Sequence, residues 1–206
     1  MENLAQSPLP PDIDPTSRCR LPLPDRDQLD ESGKQAYDRA SRPGIIAGLQ
    51  GPAGMQLHSP DIAPHLSALN GYLRLKAGFT PQIREIAILA TAREMDSQFE
   101  WVAHEPEALK EGVPQDVIDV IKYRRGTEGL GEEEAQVIEL ARQLWRDHKV
   151  TPDMFARLNA RYGPRKLIDL VVLMGTYANT AAMLSVVDMQ IPHGRPAMLP
   201  APGRHA

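Results

Sequence analysis

An all-α fold is what this sequence predicts, and three observations carry the prediction. Between residues 25 and 190 apolar side chains recur at helical spacing, and strand-like alternation with turn chemistry at short intervals does not appear. Thr80-Pro81 supplies a cap and a first-turn proline at the head of an apolar segment. The segment "GEEEAQVIELARQLWRDHK" is acidic at its start and basic at its end, as a helix dipole prefers. Together these give a bundle of about seven to nine helices.

Residues 1–24, with "SPLPPDIDP" and "LPLP", favour extended backbone and read as a Pro-rich leader lying on the surface or on a neighbouring subunit. "PDRDQLDESGKQAYDRAS" follows as a short amphipathic helix ending before Pro43, then a Gly- and Pro-bearing loop to Ser59. "SPDIAPHLSALNGYLRLKAG" precedes the helix "TPQIREIAILATAREM", whose buried stripe is Ile83, Ile86, Ala87, Leu89 and Ala90. "DSQFEWVAHEPEALKEG" opens on Asp-Ser and closes on Gly112, a C-terminal signal. After "VPQDVIDVIKYRRG" and the acid-first helix come "TPDMFARLNARYG" and the long apolar "GPRKLIDLVVLMGTYANTAAMLSVVDMQ", expected to be a central helix. The helical domain is therefore 25–191, and 192–206 reads as a flexible tail.

The chain has 206 residues, room for one sizeable domain or two small ones. A net charge of −4 provides no basic field for a nucleic acid backbone. No stretch approaches about 18 consecutive apolar residues and the N-terminus has no signal layout, so the expectation is a cytoplasmic protein without a membrane partner. Cys19 is the only cysteine, which excludes an intrachain disulfide, dithiol chemistry and thiolate metal clusters.

Residues 97–111 hold the chemistry-bearing pattern. On a helix Ser97, Glu100 and His104 share one face, with Ser97 at the N-terminus, where free backbone N–H groups favour an anion. The link to the preceding helix is short, so the two run antiparallel, and Arg84 and Glu85 come near the half that carries His104. Blander readings stand beside this one. Ser97 and Glu100 also spell a capping box, Trp101 suits a core or a subunit contact, and His104 suits a helix surface. Glu100 and His104 are half of a carboxylate–histidine metal site, but none of the other histidines repeats the spacing, so no metal is expected.

The stretch from Ala63 to Gly112, above all "LRLKAGFTPQIREIAILATAREMDSQFEWVAHEPEALKEG", resembles the carboxymuconolactone decarboxylase and alkylhydroperoxidase D superfamily. "GPAGMQLHSP", which carries His58, and the 163–189 helix resemble its longer, two-part members. The peroxidase branch has Cys-x-x-Cys-x-x-x-His with an upstream glutamate; here those positions are Ser97, Glu100, His104 and Glu85, and neither sulfur is present. The decarboxylase branch has Glu-x-x-x-His with an arginine twenty residues before the histidine, which Glu100, His104 and Arg84 match. Glu85 departs from that branch, which is serine-like there, and makes the site a hybrid.

The resemblance implies an alkylhydroperoxidase D-like bundle and a cofactor-independent lyase or isomerase acting on a small organic acid or lactone. His104, Glu100 and Glu85 would be catalytic. Arg84 would pair with a substrate carboxylate, and Ser97, Trp101 and His58 would complete the binding set. It also implies a homo-oligomer, a trimer or hexamer. The alternatives are a peroxidase-like protein using Cys19 or an external thiol, and a scaffold that binds a ligand without turnover.

Overall fold

The computed structural model describes residues 9–42 and 47–200, and among these helices are the only regular elements. They are α1 (Glu31–Ala40), α2 (Pro52–Gln56), α3 (Ala63–Leu75), α4 (Pro81–Glu94), α5 (Gln98–Lys110), α6 (Gln115–Lys122), α7 (Glu132–Trp145) and α8 (Pro152–Val186). The expected all-α class is what is found. The chain divides into two compact units, Met1–Leu69 with Ala182–Pro196, and Asn70–Ala181 with Ala197–Ala206.

In the first unit Asp30 caps α1, its carboxylate accepting from the Gly33 N–H at 2.7 Å. At Gly54 in α2 a side chain has no room, because a Cβ there would lie 1.9 Å from the Leu49 carbonyl oxygen. The described part of the leader differs from a surface strand. Arg20 N–H donates to the Val187 carbonyl at 2.8 Å, Gln190 N–H to Arg18 at 2.9 Å, and the Arg18 guanidinium to Ile191 at 3.1 Å. Ile13, Ser17 and Cys19 are buried beneath these bonds. Proline removes backbone donors but leaves carbonyls and apolar side chains free to dock, which composition alone conceals. Pro43, the expected end of the first helix region, lies outside the described residues.

The second unit is built around α4. Thr80 caps it by accepting from Ile83 N–H at 3.2 Å, and Pro81 occupies its first turn. Every residue from Ile83 to Arg93 is buried, the mark of a helix covered on all sides. The most fully enclosed helix of this unit is α4, and the long apolar α8, expected to be a central helix, contributes Leu167, Leu170, Leu173, Met174 and Tyr177 to the same core. In α8 Leu170, Leu173 and Met174 are fully covered, while Phe155 and Ile168 are exposed. Gly163 (φ 70°, ψ 167°) followed by Pro164 breaks α8 where the sequence divides it, since only glycine takes that conformation easily and proline cannot continue the hydrogen-bond ladder. By length and composition α8 is the one helix among the described residues that could cross a bilayer. The start of the expected loose tail also docks: the Gln98 amide donates to the Leu199 carbonyl at 2.7 Å and accepts from the Met198 and Leu199 N–H groups.

Candidate active site

All six side chains of the site belong to the second unit. Arg84 and Glu85 come from the start of α4, Glu100 and His104 from α5, Arg74 from the last turn of α3, and Tyr177 from α8. The reversal between α4 and α5 needs a left-handed residue, and Asp96 supplies it at φ 48°. Its carboxylate accepts from Arg93 and from Arg124, which hold that conformation in place. The Ser97 N–H closes the turn on the Ala92 carbonyl at 2.8 Å. The two helices then run antiparallel, and the start of α4 meets the C-terminal half of α5 as the spacing predicts.

Glu85 is the hub. Its side chain is fully buried, with Oε2 2.8 Å from His104 Nδ1 and Oε1 accepting from Arg84 Nε at 3.2 Å and Arg74 Nη2 at 3.4 Å. Burial is the largest single influence on its carboxyl and pushes the pKa up. The bond to His104, that ring's charge, the Arg74 charge and the Arg84 bond together outweigh it and hold the pKa below the ordinary range.

His104 is almost completely covered, and the edge of Tyr177 packs against its ring with centroids 5.1 Å apart. Nδ1–H donates to the Glu85 carboxylate, which leaves Nε2 as the ring's other polar atom. That nitrogen lies 3.8 Å from Glu100 Oε2, too far for a hydrogen bond, so it is the nitrogen left to exchange a proton. Glu100 is buried, and burial raises its pKa against the opposing charges of His104 and Arg74. Burial thus disfavours a second negative charge beside Nε2.

The structure removes one of the two readings of Ser97 and Glu100, the capping box. Ser97 sits at the N-cap of α5, but its hydroxyl makes no cap bond, so there is no capping box. Ser97 is half-buried, and among the described residues no bond ties it to the histidine. Trp101 is drawn elsewhere: it is fully buried, its Nε1–H donates to Glu105, and Lys122 lies 3.3 Å from both Glu105 oxygens. It is a core residue with a paired polar edge, outside the His104 cluster. His58 belongs to the first unit, exposed in the turn after α2, and is not among the side chains that this cluster assembles. Arg84 is in the cluster, but its contacts hold Glu85 and the end of α3.

Two members escaped the sequence reading. Arg74 Nη1 donates to the Tyr177 hydroxyl at 2.7 Å, which links the guanidinium to the ring beside His104. Tyr177 carried a usable signal, because a phenol inside an apolar helix needs a polar partner when buried. Arg74 carried none, since one basic residue at a helix end is ordinary. Among the described residues no group of three His, Cys, Asp or Glu side chains is arranged to hold a metal ion. No family model matches the chain, and no curated protein matches it significantly.

The Glu100 shift has a testable sign. Its pKa is raised on folding, so its contribution to stability is full below the unfolded value and is lost as pH rises through the folded one. Glu100→Gln removes that loss. Denaturant unfolding at pH 4 and pH 8 is expected to show the variant gaining on the wild type as pH rises; a gap that is constant or moves the other way would refute the assignment.

Proposed function

We propose that this chain is a carboxymuconolactone decarboxylase-like, cofactor-independent lyase or isomerase that moves a proton on a small organic acid or lactone through His104. The observation that supports this reading most is the Glu85–His104 pair: one ring nitrogen is fixed on a buried carboxylate at 2.8 Å and the other has no hydrogen bond among the described residues. In the decarboxylating form, the bond to the substrate's carboxyl carbon breaks and carbon dioxide leaves. The electron pair passes into the neighbouring carbonyl as an enolate, and Nε2 of His104, having taken up a proton from solvent, delivers it to carbon. In the isomerising form Nε2 takes the proton from one carbon and delivers it to another. Glu100 stands beside Nε2, where burial disfavours its charged form, and lines the place where the enolate would form.

The peroxidase reading lacks support from Cys19. That residue lies in the first unit at 2 % exposure, its thiol donating to the Leu21 carbonyl at 3.2 Å. The test is incubation with a panel of small lactone carboxylates and keto acids, followed by proton NMR and carbon dioxide release, with a hydroperoxide and a dithiol as control. Turnover of a lactone or keto acid is expected. Peroxide consumption that disappears in Cys19→Ser, with no acid turned over, would overturn the proposal, and binding without turnover would make the chain a scaffold. We further propose a homo-oligomer, which would cover the exposed Leu75, Phe155 and Ile168; sedimentation as a stable monomer at micromolar concentration would exclude it.

A further inference from the structure

Arg84 is the more enclosed of the two arginines beside Glu85. Its Nε is held by Glu85 at 3.2 Å, its Nη1 donates to the Arg74 carbonyl at 3.1 Å, and its Nη2 lies 3.8 Å from Glu111. Each nitrogen of the fork faces a partner within the chain, and the side chain is only 11 % exposed. Arg74 is placed differently. Of the five N–H donors a guanidinium carries, Arg74 uses one on Tyr177 at 2.7 Å and one on Glu85 at 3.4 Å, and its Nε has no hydrogen-bond partner among the described residues. Its side chain is 26 % exposed, more than twice as open as Arg84.

We propose that Arg74, positioned by Tyr177, is the side chain that grips the substrate's carboxylate, so that the site selects small organic anions from the α3 and α8 side. The proposal rests on the His104 reading only for what happens to the anion once it is bound. Tyr177 sets the distance: its hydroxyl holds Arg74 and its ring edge rests on His104. A carboxylate on Arg74 therefore lies one aromatic side chain from the imidazole, which suits a short acid whose reacting carbon is a few bonds from its carboxyl group. Burial pushes the Tyr177 phenol up to about 12, so it stays protonated and keeps accepting from Arg74 as a neutral hydroxyl.

The test uses levulinate, a γ-keto acid, and its uncharged primary amide, each titrated into the full-length protein by NMR or calorimetry. Wild type is expected to bind the acid and to discriminate against the amide. Arg74→Gln should weaken acid binding about 10- to 100-fold, the scale of a lost charged hydrogen bond, and bind the amide as wild type does. Arg74→Lys should recover part of the loss, because a point charge replaces a two-pronged grip. Tyr177→Phe should weaken the acid and leave the amide unchanged, a selectivity that a merely structural defect would not produce. Circular dichroism of each variant checks the fold, and Arg74→Lys with the acid–amide comparison decides the matter if Arg74→Gln folds poorly. Equal affinity for acid and amide, no binding of the acid by wild type, or unchanged acid binding in Arg74→Gln would each overturn the proposal. His104→Ala is expected to bind the acid still. Its binding and its chemistry are read separately, so a failure of the proton-carrier reading is not mistaken for a failure of this one.

Discussion

Glu85→Ala is expected to destabilise the protein by about 3–5 kcal/mol, the scale seen when one partner of a buried ion pair is removed. The cause is what remains behind. Arg84 and Arg74 lose the carboxylate they share, and His104 loses the acceptor at 2.8 Å, in a place where Glu85 itself has no exposure. Glu85→Gln keeps an oxygen acceptor and should cost less. The pH dependence has a definite sign. Glu85 is held below its ordinary pKa, so its contribution is present above the unfolded value and disappears as pH falls through the folded one. Denaturant unfolding should therefore show a large gap between wild type and Glu85→Ala at neutral pH that narrows in acid, with an unchanged dependence on denaturant. A neutral-pH gap under about 1 kcal/mol, the range of exposed pairs, would remove Glu85 from the centre of the cluster.

What the sequence made legible is what local rules control. The cap at Thr80, the break at Gly163-Pro164 and the buried stripe of α4 each follow from residue chemistry within a turn or two. The convergence of Arg84, Glu85, Glu100 and His104 was legible as well, because a short link forces neighbouring helices to run antiparallel. Four features needed the tertiary structure. Arg74 and Tyr177 are far apart in sequence, and no local pattern pairs them. Trp101 sits between the two polar faces of α5, and only the position of Glu105 and Lys122 shows which way its ring turns. The Ser97–Glu100 spacing matches a capping box, yet burial beside His104 claims the carboxylate first. Hydrophobic content marked α8 as a central helix but did not show that α4 is enclosed on every side, which is possible because polar residues such as Glu85 and Arg93 find partners inside.

His104→Ala is expected to lower turnover about 10²–10⁴-fold, the usual contribution of a positioned general acid or base, while the helices remain assembled. The ring is held by one hydrogen bond to Glu85 and by an edge contact with Tyr177, so its removal costs packing but breaks no backbone element. Glu100→Gln should reduce the rate less, since an amide donates a hydrogen bond beside Nε2. Substrate binding should change little in either variant if, as proposed, Arg74 holds the anion. The most direct measurement is deuterium uptake from D₂O at the carbons next to the levulinate ketone, followed by proton NMR with wild type and His104→Ala in parallel. The account predicts exchange well above the buffer rate for wild type and a fall of about 10²–10⁴-fold, or to the buffer rate, for the variant. Equal exchange rates for the two proteins would contradict it.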